Sequence, residues 1–228
     1  MEKGQYKLLL EVLDRLNRHK ILKDLVLVGG WCVYFYREYY FKGSYISPFR
    51  TPDLDFLVPA PGNIISEGDL PEILDDLGFI EDFRGSQGYV QLSHPDLKIE
   101  FLVHGKGRGT DRPVLLKKWN MNAQPLRFMD ILLIKTLDLN IKGIKLRVPH
   151  PACFSFQKLI ISSRRTGRTA HKADRDRQTA IEVIDELMAD ADEQWLLKDI
   201  FTKIEVKQQK QIIKILSGDR NDIIRFLK

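Results

Sequence analysis

Apolar positions recur at helical spacing through residues 5–20, where Leu8, Leu9, Val12, Leu13 and Leu16 mark one face of an amphipathic helix. The pattern then changes. Leu25-Val26-Leu27-Val28 is a short unbroken apolar run that suits a buried strand, and Gly29-Gly30 ends it. From Trp31 to Phe41 an aromatic-rich segment returns to helical spacing. Alternation reappears at Asp53-Leu54-Asp55-Phe56, which predicts a strand with acids on one face and apolar side chains on the other, closed by the loop Pro59–Asn63. Asp69-Leu70-Pro71-Glu72 caps a short helix running to Leu77, with Gly78 just past its end. Strands are predicted over Phe79–Phe83, Tyr89–Ser93 and Leu97–Val103, and a β-hairpin turning at Gly143 within 126–148.

Pro149-His150-Pro151 marks a change of character. Beyond it the chain reads as helices at 152–165, 172–190, 192–203, 205–216 and 219–227, with scarcely a strand signal. The pattern therefore predicts an α+β chain: an α/β domain at 1–149 with a mixed β-sheet flanked by helices, then a C-terminal helical bundle at 150–228. No internal repeat or low-complexity segment interrupts it.

Composition narrows the class without naming an activity. A hydrophobic share of 43% beside 29% charged residues, in 228 residues, is that of a globular chain able to bury a sizeable core. The net charge of +5 leans towards polyanionic partners. Cys32 and Cys153 lie far apart, match no zinc spacing and read as buried, reduced thiols. Glu11 and Asp14 interrupt the first apolar stripe, so it is no signal peptide, and no apolar run approaches membrane-spanning length. A soluble, cytoplasmic protein with no membrane partner is expected. The five histidines show no paired metal spacing.

Candidate chemistry concentrates in two places on the predicted sheet. A strand, a diglycine turn (Gly29, Gly30) and a helix start together present backbone N–H groups to an anion. Asp53 and Asp55 share a strand face, and two carboxylates so placed repel unless a cation sits between them. Mg²⁺ suits them, since it takes hard oxygen ligands and carries phosphate oxygens with it. Glu100 interrupts the apolar run Ile99–Val103, where a carboxylate is costly without a cation or partner. Alone, with Lys98 on its face, it would read as a solvated residue near a strand edge; the upstream Asp pair favours a metal-facing role. His104–Gly109, with its glycines and cations, reads as a surface loop rather than a phosphate loop.

The order Gly29-Gly30, Arg50-Thr51, Asp53-x-Asp55 and a later acid, Glu100, resembles the nucleotidyltransferase superfamily, nearest to its bacterial branch that includes the AbiEii-type toxins. Val148-Pro149, Lys158-Leu159, Arg164 and Asp176 extend the resemblance over about residues 25–185. It implies a nucleotidyltransferase-type sheet and transfer of a nucleoside monophosphate from an NTP to a hydroxyl. That acceptor could be an RNA 3′ end, a protein or a small molecule such as an aminoglycoside, with basic charge leaning to RNA. By the same resemblance Asp53, Asp55 and Glu100 hold two Mg²⁺ ions; Gly29, Gly30, Arg50 and Thr51 lie in the nucleotide site; Lys158 meets its phosphates, and Asp174 or Asp176 orients it or a substrate. In one departure, Trp31 stands where the family often carries Ser or Thr to meet a phosphate, although beside the glycines it could stack on a base. That departure supports a rival reading, a non-catalytic nucleotidyltransferase-like binding protein of a toxin–antitoxin or regulatory system. For Arg165, Arg168, His171, Arg175 and Arg177 a solvated helix face is the default, with nucleic-acid backbone contact second. Oligomeric state is not readable from the sequence.

Overall fold

In the computed structural model, which describes residues 3–43, 51–105 and 112–228, the strand β5 (Lys98–His104) is the one that most others depend on. It runs parallel to β2 (Asp53–Leu57), with Asp53 opposite Lys98 and Asp55 opposite Glu100. β2 in turn pairs antiparallel with β1 (Val26–Val28). Along its other edge β5 changes neighbour. Lys98 and Ile99 pair antiparallel with β4 (Tyr89–Ser93), while Leu102, Val103 and His104 pair parallel with β7 (Met121–Leu126). β3 (Ile80–Arg84) lines the outside of β4, and β6 (Val114–Leu116) pairs with β7. β8 (Thr136–Ile141) and β9 (Ile144–Pro149) form a separate hairpin. Lys142 and Gly143 both have positive φ at its turn, and Gly143 N–H donates to Asn140 Oδ1 at 2.8 Å. This is the geometry a tight two-residue hairpin needs.

The helices are α1 (Lys3–Arg18), α2 (Trp31–Phe35), α3 (Leu70–Asp75), α4 (Pro151–Ser162), α5 (Ala173–Met188), α6 (Ala191–Lys203), α7 (Val206–Leu216) and α8 (Asn221–Leu227). Asp69 caps α3 by accepting from Glu72 N–H, and Asp190 caps α6 through Asp192 and Glu193. These short acidic side chains satisfy donors that a helix start leaves open. Among the described residues no helix is long and apolar enough to cross a membrane.

The chain divides into two units. The first comprises Met1–Phe35, Pro48–Met129 and Leu137–Val148; the second comprises Tyr36–Ser47, Asp130–Thr136 and Pro149–Lys228. In the first, one sheet face is apolar: Leu54, Phe56, Leu92, Ile99 and Phe101 are all buried, with Phe56 stacked on Phe101 and Phe101 tilted against Trp119. Burying each such side chain is worth about 1.5–3 kcal/mol, which fixes the strand register and so the opposite face too. The second unit centres on α4, buried nearly all round, against which α5, α6 and α7 pack. Both cysteines are buried and unbridged, and burial pushes the Cys153 thiol up to about 12.

No sequence period marks β6 or most of β7, because three-residue β6 and Pro-containing β7 are too short and broken to show one. Phe41 also lies beyond the α-helix that starts at Trp31. After Phe35 the chain widens into a π-helical turn, Tyr36–Tyr40.

Candidate active site

On the face of the first unit's sheet away from Phe56 and Phe101 stand Asp53 and Asp55 from β2, Glu100 and Lys98 from β5, and Gln91 and Ser93 from β4. The two-residue period of a strand puts them there once Leu54, Phe56, Leu92 and Ile99 are buried. β5 is an interior strand, so the alternative of Glu100 as a solvated edge residue does not hold. Glu100 sits where β5 passes from one neighbour to the next, after Ile99 and before Leu102. Burial pushes its carboxyl above the ordinary range, and the charge of Asp53 pushes it further, against a hydrogen bond from Gln91 and the charges of Arg84 and Lys98.

Gly29 follows β1 with φ +77°, a left-handed conformation that side-chain-bearing residues rarely adopt. The position a Cβ would take there lies 3.1 Å from Asp55 Cγ, and closer still to Asp55 Oδ2. The turn and the carboxylate are therefore in contact. Thr51 is buried, and its Oγ1 accepts from Asp53 N–H at 3.1 Å while its carbonyl accepts from Gln5 at 3.1 Å. Its hydroxyl thus props the start of β2. Trp31 is 4% exposed and packs edge-on against Tyr34, and its indole N–H finds no hydrogen-bond partner among the described residues. Packing of that kind withholds the ring face from a base. Arg50 and Lys106–Gly109 lie outside the described residues.

A carboxylate trio on a strand pair, with a glycine turn against one of them, could serve phosphate-and-metal chemistry. The nucleotidyltransferase family model matches residues 7–204. The chain belongs to the nucleotidyltransferase family. No curated protein matches this chain in sequence. Among solved structures it is similar to an antigenic nucleotidyltransferase-like protein from Paracoccidioides brasiliensis, at 16% identity over 96% of this chain and 91% of that one, with a TM-score of 0.48. It is also similar to the antibiotic-resistance factor ANT(2'')-Ia. A solution structure of that protein matches at 14% identity over 89% and 94% of the two chains, with a TM-score of 0.43. The crystal structure of ANT(2'')-Ia with adenylyl-2''-tobramycin matches at 12% over 88% and 99%, also at 0.43.

The donor set on this face fits Mg²⁺. Among the described residues no three His, Cys, Asp or Glu side chains already close around one point. Mg²⁺ does not need such a cage, because it keeps several waters and is held by one or two carboxylates plus substrate phosphates. Asp53, Asp55 and Glu100 supply hard oxygens on one face, and a cation there would offset the burial of Glu100 and the charge of Asp53 beside it.

The other predicted residues, Lys158, Asp174 and Asp176, belong to the second unit. Asp176 is 4% exposed and takes Lys158 Nζ at 2.9 Å and Arg165 Nε at 2.5 Å, one on each oxygen. Arg165 is thus a partner of the buried acid rather than a solvated bystander. Asp174 is exposed. Sequence reading also missed Gln91 and the cluster Tyr40–His150–Glu193. In that cluster Tyr40 O–H donates to Glu193, and His150 Nε2 lies 3.2 Å from the other Glu193 oxygen. Only strand register and helix packing reveal these two groups, since neither follows a sequence spacing.

Proposed function

We propose that the protein transfers a nucleoside monophosphate from an NTP to a hydroxyl acceptor, with release of pyrophosphate. The observation that carries this is the register of β2 and β5, which sets Asp55 beside Glu100 and Asp53 on the same face, with Asp55 against Gly29. Asp53, Asp55 and Glu100 would hold two Mg²⁺ ions, which when bound stabilise charge on both the attacking and the leaving oxygen. Gly29 and Gly30 would bring backbone N–H groups of the turn to the triphosphate. The resemblance adds Lys158 on the distal phosphates and Asp174 or Asp176 as orienting groups. The change of sequence pattern at Pro149-His150-Pro151 adds a division into a nucleotidyltransferase-like domain at 1–149 and a helical domain at 150–228. The net charge of +5 favours RNA among the possible acceptors.

The test is incubation of the protein with each labelled NTP and Mg²⁺, in the presence of cellular RNA, protein and metabolite pools. Label should pass to one pool with release of pyrophosphate, and Asp53→Ala or Asp55→Ala should reduce transfer to background while circular dichroism stays that of the parent. Undiminished transfer in either folded variant would remove the metal assignment.

Trp31 favours a second reading. A buried indole in place of a hydroxyl removes one phosphate contact, which suits a non-catalytic nucleotide- or nucleic-acid-binding protein of a toxin–antitoxin or regulatory system, akin to the AbiEii-type branch. Calorimetry separates the two. NTP binding with Mg²⁺, but no pyrophosphate from any acceptor pool, would select the second.

A further inference from the structure

Across the polar face of the first unit's sheet, one row of side chains runs strand to strand. Asp82 on β3 is in register with Gln91 on β4, Gln91 meets Glu100 on β5, and Glu100 is in register with Asp55 on β2. Gln91 is the unusual member. It is 5% exposed, far more buried than its neighbours in the row, and an amide is costly to bury unless its groups are paired. Both ends are paired. Its Nε2 donates to Glu100 Oε1, and its Oε1 accepts from Ser93 Oγ at 3.2 Å.

The carboxylate decides the direction of the first bond: it can only accept, so the amide presents N–H to it, and the Ser93 hydroxyl satisfies the amide oxygen that is left. Glu100 also lies between the residues of β5 that pair with β4 and those that pair with β7, so its backbone neighbours alone do not fix its side chain. The amide supplies that restraint. One Glu100 oxygen is held, and the other takes no hydrogen bond from the described residues.

We infer that Gln91 is a positioning residue for Glu100: the Ser93–Gln91 pair holds one carboxylate oxygen so that the other faces a divalent cation shared with Asp55. This rests on the metal-dependent function proposed above and extends it to a residue outside the acidic trio. Groups that orient a metal ligand through a hydrogen bond are worth about 10–100-fold in metal affinity or activity when removed.

The experiment uses the full chain and Mn²⁺ as the probe, read by electron paramagnetic resonance without nucleotide, alongside NTP kinetics. Gln91→Met keeps the volume and removes the donor. It should lower Mn²⁺ affinity by about 10-fold, and kcat should fall while KM for NTP stays nearly constant. Ser93→Ala removes the donor that holds the amide oxygen and should give a smaller loss of the same kind. In a Glu100→Gln background, Gln91→Met should cause no further loss, which a merely structural glutamine would not obey. Wild-type Mn²⁺ affinity and kcat in folded Gln91→Met would overturn the assignment of Gln91 alone. Should Gln91→Met not fold, an unchanged Mn²⁺ affinity in Ser93→Ala would overturn it equally. If the parent protein itself binds no Mn²⁺ and turns over no NTP, the metal-dependent function fails, and this inference fails with it.

Discussion

Asp55 Oδ2 fills the space that a side chain at Gly29 would need, so the glycine turn and the second acid of β2 are one packed unit. Two costs therefore meet at Gly29→Ala. The left-handed backbone costs an alanine about 1–2 kcal/mol, and the new methyl displaces the Asp55 carboxylate. We expect the variant to fold with lowered stability and to lose nucleotidyl transfer. Urea denaturation checks the first effect and pyrophosphate release the second. Full transfer in Gly29→Ala would mean that Asp55 can work from a displaced position.

Glu100 gives a pH-dependent prediction. Burial first, and Asp53 second, raise its carboxyl above the ordinary value of 4.5. A raised acid contributes stability that is fully present below its unfolded value and is lost as pH rises through its folded value. In buffer free of divalent ions, Glu100→Gln should therefore be more stable than the parent near neutrality, with the difference closing as pH falls below about 4. Thermal unfolding across that range measures it. The same substitution should reduce transfer, the usual exchange of stability for activity at a charged site. Identical pH profiles for the two proteins would place Glu100 in an ordinary solvated setting.

The strand signals around the site were legible because both constraints on β2 are local. Leu54 and Phe56 must be buried, so Asp53 and Asp55 face the other way, and Gly29-Gly30 can only end a strand. Glu100 was readable as an anomaly in an apolar run, but not as an interior residue. Its neighbours come from β4 and from β7, and β7 follows a stretch with no period. Gln91 carried no signal at all, since a polar residue alternating with Val90 and Leu92 is what any half-solvated strand shows. Its burial depends on the order β2-β5-β4-β3, which no single segment encodes. In the second unit the helices were plain from their apolar spacing, whereas the pairing of Lys158 and Arg165 with Asp176 depends on how α4 and α5 pack.

Asp176 tests what that pairing contributes. It is nearly fully buried and neutralises Lys158 and Arg165, whose side chains are 18% and 22% exposed. Asp176→Asn keeps the shape and leaves two cations without their counter-charge. The cost should be about 2–3 kcal/mol, below that of breaking a fully buried pair because water still reaches the cations. The exposed pair Lys7–Glu11 is the control, and Glu11→Gln should change stability by less than about 0.5 kcal/mol. Chemical denaturation of both variants decides it. An equal, small effect would show that solvent screens the Asp176 network as fully as the surface pair.

Tyr40 makes the last prediction. Burial, then its hydrogen bond to Glu193, push its phenol well above the ordinary value of 10.0. Burial raises Glu193 as well, but the neighbouring His150 ring and the bond from Tyr40 outweigh it and lower the carboxyl. Tyr40 should then keep its proton beyond the pH at which exposed tyrosines ionise, and release it only as the second unit opens. Its contribution to stability is complete below pH 10 and lost above it; that of Glu193 is complete above its ordinary 4.5 and lost as pH falls. Tyr40→Phe removes the shared bond, so it should cost about 1–2 kcal/mol near neutrality, a discounted value for a charged acceptor in a half-buried site. That loss should shrink towards both ends of the pH range. Ultraviolet titration of phenolates and thermal unfolding from acid to alkali follow the two effects. A phenol at Tyr40 that titrates with the rest, or a loss that is flat with pH, would show that the hydroxyl does not hold Glu193 in solution.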